Sequence, residues 1–270
     1  MNKATAWLWT GSRFSPCEGI PPTDRAFRYG MSVFESLPVR NRKPFFLPQH
    51  YERLQHACAK AEFAATLPPL EELDALLRGI SFDAFARIHV TAGDGGPCAP
   101  GENPRVLVFA EPRAPDAADK NYKLALHPEP SLPLLGGLKT GNYWANLIAL
   151  QNARERGCDE SLLFNIEGAL ISACMANVFV IKDGKIKTPA TDCGARAGVI
   201  REWVTGRRAI EEARIAREDV SAADEIFLTS SWLGVMPVAS LEGRSLPSRE
   251  VAAQLRVEYA REIGEGFEDL

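Results

Sequence analysis

One lysine in this chain is set for amine chemistry. It is Lys139, in the stretch GGLKTGNYWA that runs from Gly136 to Ala145. Glycines precede it, the aromatic pair Tyr143 and Trp144 follows it, and Leu147 and Ile148 come one helical turn later, the start of an amphipathic run. A lysine placed just before a buried helix, among glycines and aromatic rings, loses water. Desolvation disfavours the ammonium form, so the free amine becomes a usable nucleophile. The usual chemistry of such an amine is a Schiff base with an aldehyde, and pyridoxal phosphate is the commonest partner. Read alone, the same stretch also describes a surface lysine in a loop.

A phosphorylated aldehyde needs amide donors at a helix start, together with hydroxyls or a cation. In RAGVIREWV, Gly198 stands before a helical pattern, so the amides of Val199 and Ile200 point out of its positive end, and the glycine admits a close approach. Ser230 and Ser231 end a strand-like run and offer hydroxyls, or are plain turn serines. Arg53 lies beside the apolar stripe of a helix and either reaches inward or is solvated. Arg87 and His89, two apart on a strand, share one face.

The elements that must position these groups are legible as an α+β pattern. Strands are expected at 5–9, 33–39, 44–47, 84–91 and 105–110, with helices at 48–64 and 70–77. Tyr51, Leu54, Cys58 and Ala61 form the apolar stripe of the first helix. A seam rich in Ala, Pro and charge at 112–119 divides a small domain, 1–115, from a larger one, 116–270, which carries Lys139. Beyond the seam come strands at 122–127, 161–165, 169–172, 177–182, 186–188 and 225–230. Helices are expected there at 142–156, 198–213 and 247–263. Arg207 and Arg208 then fall on a solvated helix face. The 270 residues carry a formal charge of -4, which argues against a nucleic-acid partner. Six cysteines without a C-x-x-C pair, and only four histidines, argue against a zinc site or disulfide scaffold, so no metal is expected. No signal peptide or membrane-spanning run is visible, and a cytoplasmic location is expected.

Taken together the motifs resemble the fold type IV, or class IV, pyridoxal-phosphate enzymes: branched-chain and D-amino acid aminotransferases and 4-amino-4-deoxychorismate lyase. DRAFRYGMSVFES, HYERLQHAC, LKTGNYWANLIA, MANVFVIKDGKIKTP, AGVIR and TSSWLGVMPV are similar to successive family blocks, in order, over nearly the whole chain. The resemblance implies a small α/β-sandwich domain plus a larger pseudo-barrel domain, pyridoxal 5'-phosphate as cofactor, and a homodimer acting on an amino-acid-like substrate. It implies that Lys139 forms the Schiff base and shuttles the substrate proton. Arg53, Val199, Ile200 and Ser230 or Ser231 hold the phosphate, Tyr143 bonds the phenolic oxygen, and Asn177 stands beside the cofactor or holds its turn. Tyr29 and Phe34 match aromatic positions on the substrate side.

Three departures stand out. Ser172 occupies the place, five residues before Asn177, where the family has the glutamate that pairs with the cofactor's ring nitrogen. A carboxylate keeps that nitrogen protonated and makes the ring a strong electron sink, whereas a hydroxyl only hydrogen-bonds it. Ala92 stands where many transaminases carry an arginine for the substrate carboxylate, a role Arg87 or His89 can take or leave, and Met31 replaces a frequent aspartate. Loss of the sink harms transamination more than elimination. A lyase of the 4-amino-4-deoxychorismate type is therefore the leading expectation, an amino-acid aminotransferase the second, and a non-catalytic or repurposed relative the third.

Overall fold

The computed structural model describes residues 4–98, 101–112, 120–133, 135 and 137–263. Gly136 and all of the 112–119 seam except Pro112 lie outside the described residues. The chain forms two compact units: Met1–Ala114 with Leu138–Tyr143, and Pro115–Gly137 with Trp144–Leu270.

The first unit contains β1 (Thr5–Trp9), β2 (Phe14–Pro16), α1 (Arg25–Tyr29), β3 (Ser32–Arg40), β4 (Lys43–Pro44), α2 (Leu47–Lys60), α3 (Leu70–Arg78), β5 (Ala84–Thr91) and β6 (Val106–Pro112). Its strands form one sheet in the order β2-β1-β6-β5-β3-β4. Alternation decides its two faces. Val33, Leu37, Val39, Ile88, Val90, Val106 and Val108 point to one side and bury themselves with Leu54, Cys58, Leu73 and Leu77 of the helices. Phe34, Arg87, His89 and Phe109 point to the other, where Phe34 pairs with His89 and Arg87 with Phe109. The His89 ring stacks on Phe34 at 4.7 Å and on Phe109 at 5.1 Å between centroids. The expected strand at 44–47 is cut short: Phe46 takes a left-handed backbone (φ 55) and Leu47 already begins α2.

Lys139 belongs to this unit and not, as its place in the sequence suggests, to the C-terminal one. The reason is backbone pairing. Thr140 bridges Val33, the Phe34 amide donates to the Lys139 carbonyl (2.8 Å), and the Gly141 amide donates to the Ser32 carbonyl (2.9 Å). Asp24, fully buried, caps α1 at the Ala26 amide and accepts from Thr91 Oγ1 (2.9 Å) and Arg105 Nη1 (2.8 Å), tying the helix to the β5–β6 end of the sheet.

The second unit contains β7 (Tyr122–Leu126), α4 (Trp144–Glu155), β8 (Glu160–Phe164), β9 (Leu170–Ala173), β10 (Asn177–Lys182), β11 (Lys185–Pro189), α5 (Val199–Thr205), β12 (Ile210–Ala213), α6 (Arg217–Ser221), β13 (Glu225–Ser230), β14 (Gly234–Leu241), β15 (Arg244–Ser245) and α7 (Glu250–Glu262). Its nine-stranded sheet runs β12-β11-β10-β13-β14-β7-β8-β9, with β15 on β14. Leu162, Phe164, Val178, Ile226, Leu228 and Met236 fill its core. The helix expected over 198–213 ends at Thr205 because Ile210–Ala213 pairs in parallel with β11 instead. Arg207 and Arg208 therefore leave a helix face and form ion pairs with Glu262 (2.8 Å) and Glu258 (2.5 Å) of α7. Helix α4 also turns the other way from its sequence pattern. Ala149, Leu150 and Ala153 are its buried residues, while Trp144 is 79% exposed.

Two stability effects follow from this packing. Asp24→Ala removes the cap of α1 and the acceptor of the Thr91 hydroxyl, and leaves Arg105 only its pair with Asp94 (2.6 Å); it is expected to cost about 2 kcal/mol in urea unfolding at neutral pH. His89 is pushed down to about 4, by burial first and then by the Arg87 and Lys139 charges. The folded protein resists protonating it while the unfolded chain accepts a proton near the usual value. This contribution is thus present above pH 6.5 and drains away as pH falls toward 4, by up to about 3 kcal/mol. Unfolding curves of His89→Phe, which keeps a ring for the stack, should show about 2 kcal/mol less acid sensitivity between pH 7 and 4.5 than wild type.

Candidate active site

In the first unit, Lys139 is half-buried over aromatic faces: Nζ stands 4.8 Å from the Phe34 ring centroid and 5.8 Å from that of Tyr143. The Tyr143 ring meets Phe34 edge-on at 5.3 Å. The loop that carries the lysine is clamped from below. Asn142 Nδ2 donates to the Gly30 carbonyl (3.2 Å), and Gly30 has a left-handed backbone (φ 69) against which any Cβ would fall 2.1 Å from Asn142 Oδ1. Arg87 lies beside this aromatic set, its guanidinium 5.8 Å from the Phe109 centroid and 6.0 Å from that of Phe85. Arg87 Nε and His89 Nε2 are buried and find no hydrogen-bond partner among the described residues. Tyr29 sits at the end of α1, exposed, with Arg28 stacked on its ring.

Arg53 reaches inward from α2. Its Nη2 lies 3.2 Å from Oε1 of Glu35, whose other oxygen is 2.6 Å from His50 Nδ1. Sequence reasoning missed Glu35 and His50. Their signal was a charged residue on the helix-facing side of β3, between the apolar Val33 and Leu37.

The second unit holds the remaining candidates. Gly198 caps α5, and the buried Val199 and Ile200 open it, so their amides have no carbonyl of the helix to bond. The need for glycine at 198 is internal: a Cβ there would fall 2.0 Å from Asn177 Oδ1. Asn177 Nδ2 donates to the Arg196 carbonyl (2.7 Å), so this side chain fixes the loop that leads into α5. Ser230 Oγ accepts the Leu233 amide (3.1 Å), which leaves the hydroxyl proton to donate, and Ser231 follows it, half-buried. Ser172 is half-buried on β9, in register with Leu163.

A third residue missed from sequence lies in this unit. Glu160, buried at the start of β8, accepts the amides of Ser161 (3.3 Å) and Cys174 (3.0 Å) on one oxygen and of Met175 (3.1 Å) on the other. Burial pushes its carboxyl up to about 7 while those amides pull the other way. Together with Asn146, which donates to the Cys174 carbonyl (2.8 Å), it shapes the turn between Ser172 and Asn177.

The donor set fits pyridoxal phosphate. It comprises a half-buried primary amine among aromatic rings, an inward-facing arginine, hydroxyls at a strand end, and helix-start amides. In the place where the resemblance puts an acid for the ring nitrogen, residue 172 carries a hydroxyl. Among the described residues no cluster suited to a metal ion is present, and no helix is long and apolar enough to cross a membrane.

Comparison with known proteins gives the family and the fold. Residues 32–241 match the family described as amino-transferase class IV. The chain is 30% identical to the aminodeoxychorismate lyase of Bacillus subtilis over 90% of this chain and 89% of that protein. It is 26% identical to a putative branched-chain-amino-acid aminotransferase of Methanocaldococcus jannaschii, over 92% and 89%. The solved 4-amino-4-deoxychorismate lyase of Pseudomonas aeruginosa superposes with a TM-score of 0.83 at 25% identity, covering 97% of this chain and 100% of that one. The family match over residues 32–241, together with similarity over nearly the whole length of these relatives, makes the chain a member of the class IV aminotransferase family, a fold type IV enzyme whose cofactor is pyridoxal phosphate.

Proposed function

We propose that the chain is a lyase of the 4-amino-4-deoxychorismate type, releasing pyruvate and 4-aminobenzoate. The observation that carries this reading is Ser172 in the place of an acid. Bound pyridoxal phosphate supplies an aldehyde for the substrate amine and a ring that stores the electron pair left when a proton departs from the amine-bearing carbon. Lys139 takes that proton on its nitrogen, and the aromatic rings of Phe34 and Tyr143 keep bulk water from it. Arg53, the Val199 and Ile200 amides and the hydroxyls of Ser230 and Ser231 hold the phosphate. Tyr143 orients the ring oxygen, Asn177 holds the loop beside the cofactor, and Ser172 gives the ring nitrogen a hydrogen bond without a charge. With the sink weakened, a pathway that discharges the electron pair at once, by expelling a leaving group, is favoured over one that must hold it. Arg87 and His89, whose buried Nε and Nε2 find no hydrogen-bond partner among the described residues, orient a substrate carboxylate, with Tyr29 and Phe34 on the substrate side.

The similarity to both lyases and aminotransferases supports a second reading, an amino-acid aminotransferase. In either case a cytoplasmic homodimer is proposed. The test is a product assay on 4-amino-4-deoxychorismate and on a panel of D- and L-amino acids. Pyruvate formed with no keto acid present is the expected result; strict dependence on an added keto acid would select the aminotransferase. Lys139→Ala should lose at least about a thousandfold in rate, since one residue carries both the amine and the proton. Ser172→Glu is expected to raise single-turnover amino transfer from an amino acid by about tenfold or more, at the expense of elimination. An unchanged rate in that variant would remove Ser172 as the reason for the preference.

A further inference from the structure

Glu35 is an expensive residue where it stands. It is 3% exposed, on the side of β3 that packs against helices, with Val33 and Leu37 as its apolar neighbours on that face. An ionised carboxylate there must be matched by partners or replaced by something apolar. It is matched. Oε2 takes the His50 Nδ1 at 2.6 Å, and Oε1 takes Arg53 Nη2 at 3.2 Å. Burial opposes its charge, but the His50 hydrogen bond and the Arg53 and Lys139 charges outweigh it and hold the carboxyl below its ordinary range. Burial also keeps His50 neutral, so Nδ1–H is the donor of that short contact. Glu35 therefore presents a fixed negative charge felt by two cations of the first unit, the amine of Lys139 and the guanidinium of Arg53.

An arginine at this position gains nothing for anion binding by being held only through its flexible stem. A guanidinium is a planar fork, and a carboxylate on one nitrogen fixes the plane in which the others donate. We propose that Glu35, held by His50, is a positioning residue that orients Arg53 for the cofactor phosphate before the cofactor arrives. The inference rests on the reading of Arg53 as a phosphate ligand, and the test separates the two.

Apoprotein is titrated with pyridoxal phosphate and with pyridoxal, which has the aldehyde but no phosphate, and the two dissociation constants are compared. Glu35→Gln keeps the shape and a hydrogen-bonding oxygen but loses the charge. It should weaken pyridoxal phosphate by about tenfold or more and pyridoxal by less than about threefold. Arg53→Gln should show the same phosphate-selective loss, and the double variant should lose little more than Arg53→Gln alone, because the effect of Glu35 passes through the arginine. If Glu35→Gln does not fold, His50→Asn, which loosens the carboxylate without removing it, should give a smaller loss with the same selectivity. Equal weakening of both ligands, full additivity in the double variant, or unchanged affinity in Glu35→Gln overturns the positioning role while leaving Arg53 as a ligand. An unchanged preference for the phosphorylated ligand in Arg53→Gln overturns the reading of Arg53 itself, and the inference with it.

Discussion

The site in the first unit depends on a short piece of antiparallel pairing between β3 and the segment that carries the lysine. Phe34 N–H to Lys139 C=O and Gly141 N–H to Ser32 C=O flank the Val33–Thr140 bridge. Residues opposite one another in such a pair project to the same face. Since Thr140 is opposite Val33, Lys139 is opposite Phe34, on the face away from the helices. That register is why the amine stands over the Phe34 ring, and a slip of one residue would send it to the other face. The clamp of Asn142 on Gly30 and the tight approach of Gly141 to Ser32 Oγ make such a slip sterically expensive.

The two faces of that sheet divide the work. The helix-facing side is an apolar core interrupted once on β3, by Glu35, and the interruption is compensated by His50 and Arg53 of α2. The opposite side is aromatic and cationic, with neutral His89 packed between Phe34 and Phe109 and Arg87 next to it. A neutral imidazole suits this position. A third full charge beside Arg87 and Lys139 would be repelled by both, and the downward push on His89 expresses burial first and that repulsion second.

What could be read from the sequence was what is local. The lysine segment, the apolar stripe of α2 and most of the longer strands follow from neighbouring residues and were legible, though the helix expected over 48–64 ends at Lys60 and the strand expected over 44–47 at Pro44. The errors have a common cause in non-local pairing. Ile210–Ala213 looks like the continuation of a helix until its parallel partner β11 is known. Gly234–Leu241 contains Pro237, which discourages a strand, yet it pairs with β13 and β7. Trp144 and Leu147 have helical spacing, and spacing does not say which side is buried. The links of Glu35 to His50 and of Glu160 to the amides of 174 and 175 join separate elements, and no short motif announces them.

The acid missing at residue 172 is not supplied by the buried Glu160 of β8. Glu160 has both carboxylate oxygens engaged by backbone amides, one by two and the other by one, and those amides belong to β8 and to the turn beyond β9. Turning it toward another partner would orphan buried N–H groups, at a cost comparable to the hydrogen bonds lost. In the proposed reading the ring nitrogen must therefore manage with a hydroxyl from this strand. A hydroxyl can donate to a neutral nitrogen or accept from a protonated one, but it carries no charge to stabilise the proton. The elements that bind and place the cofactor can remain intact while its capacity to store electrons falls. Such a combination suits a reaction in which the departing group removes the electron pair as soon as the proton has left.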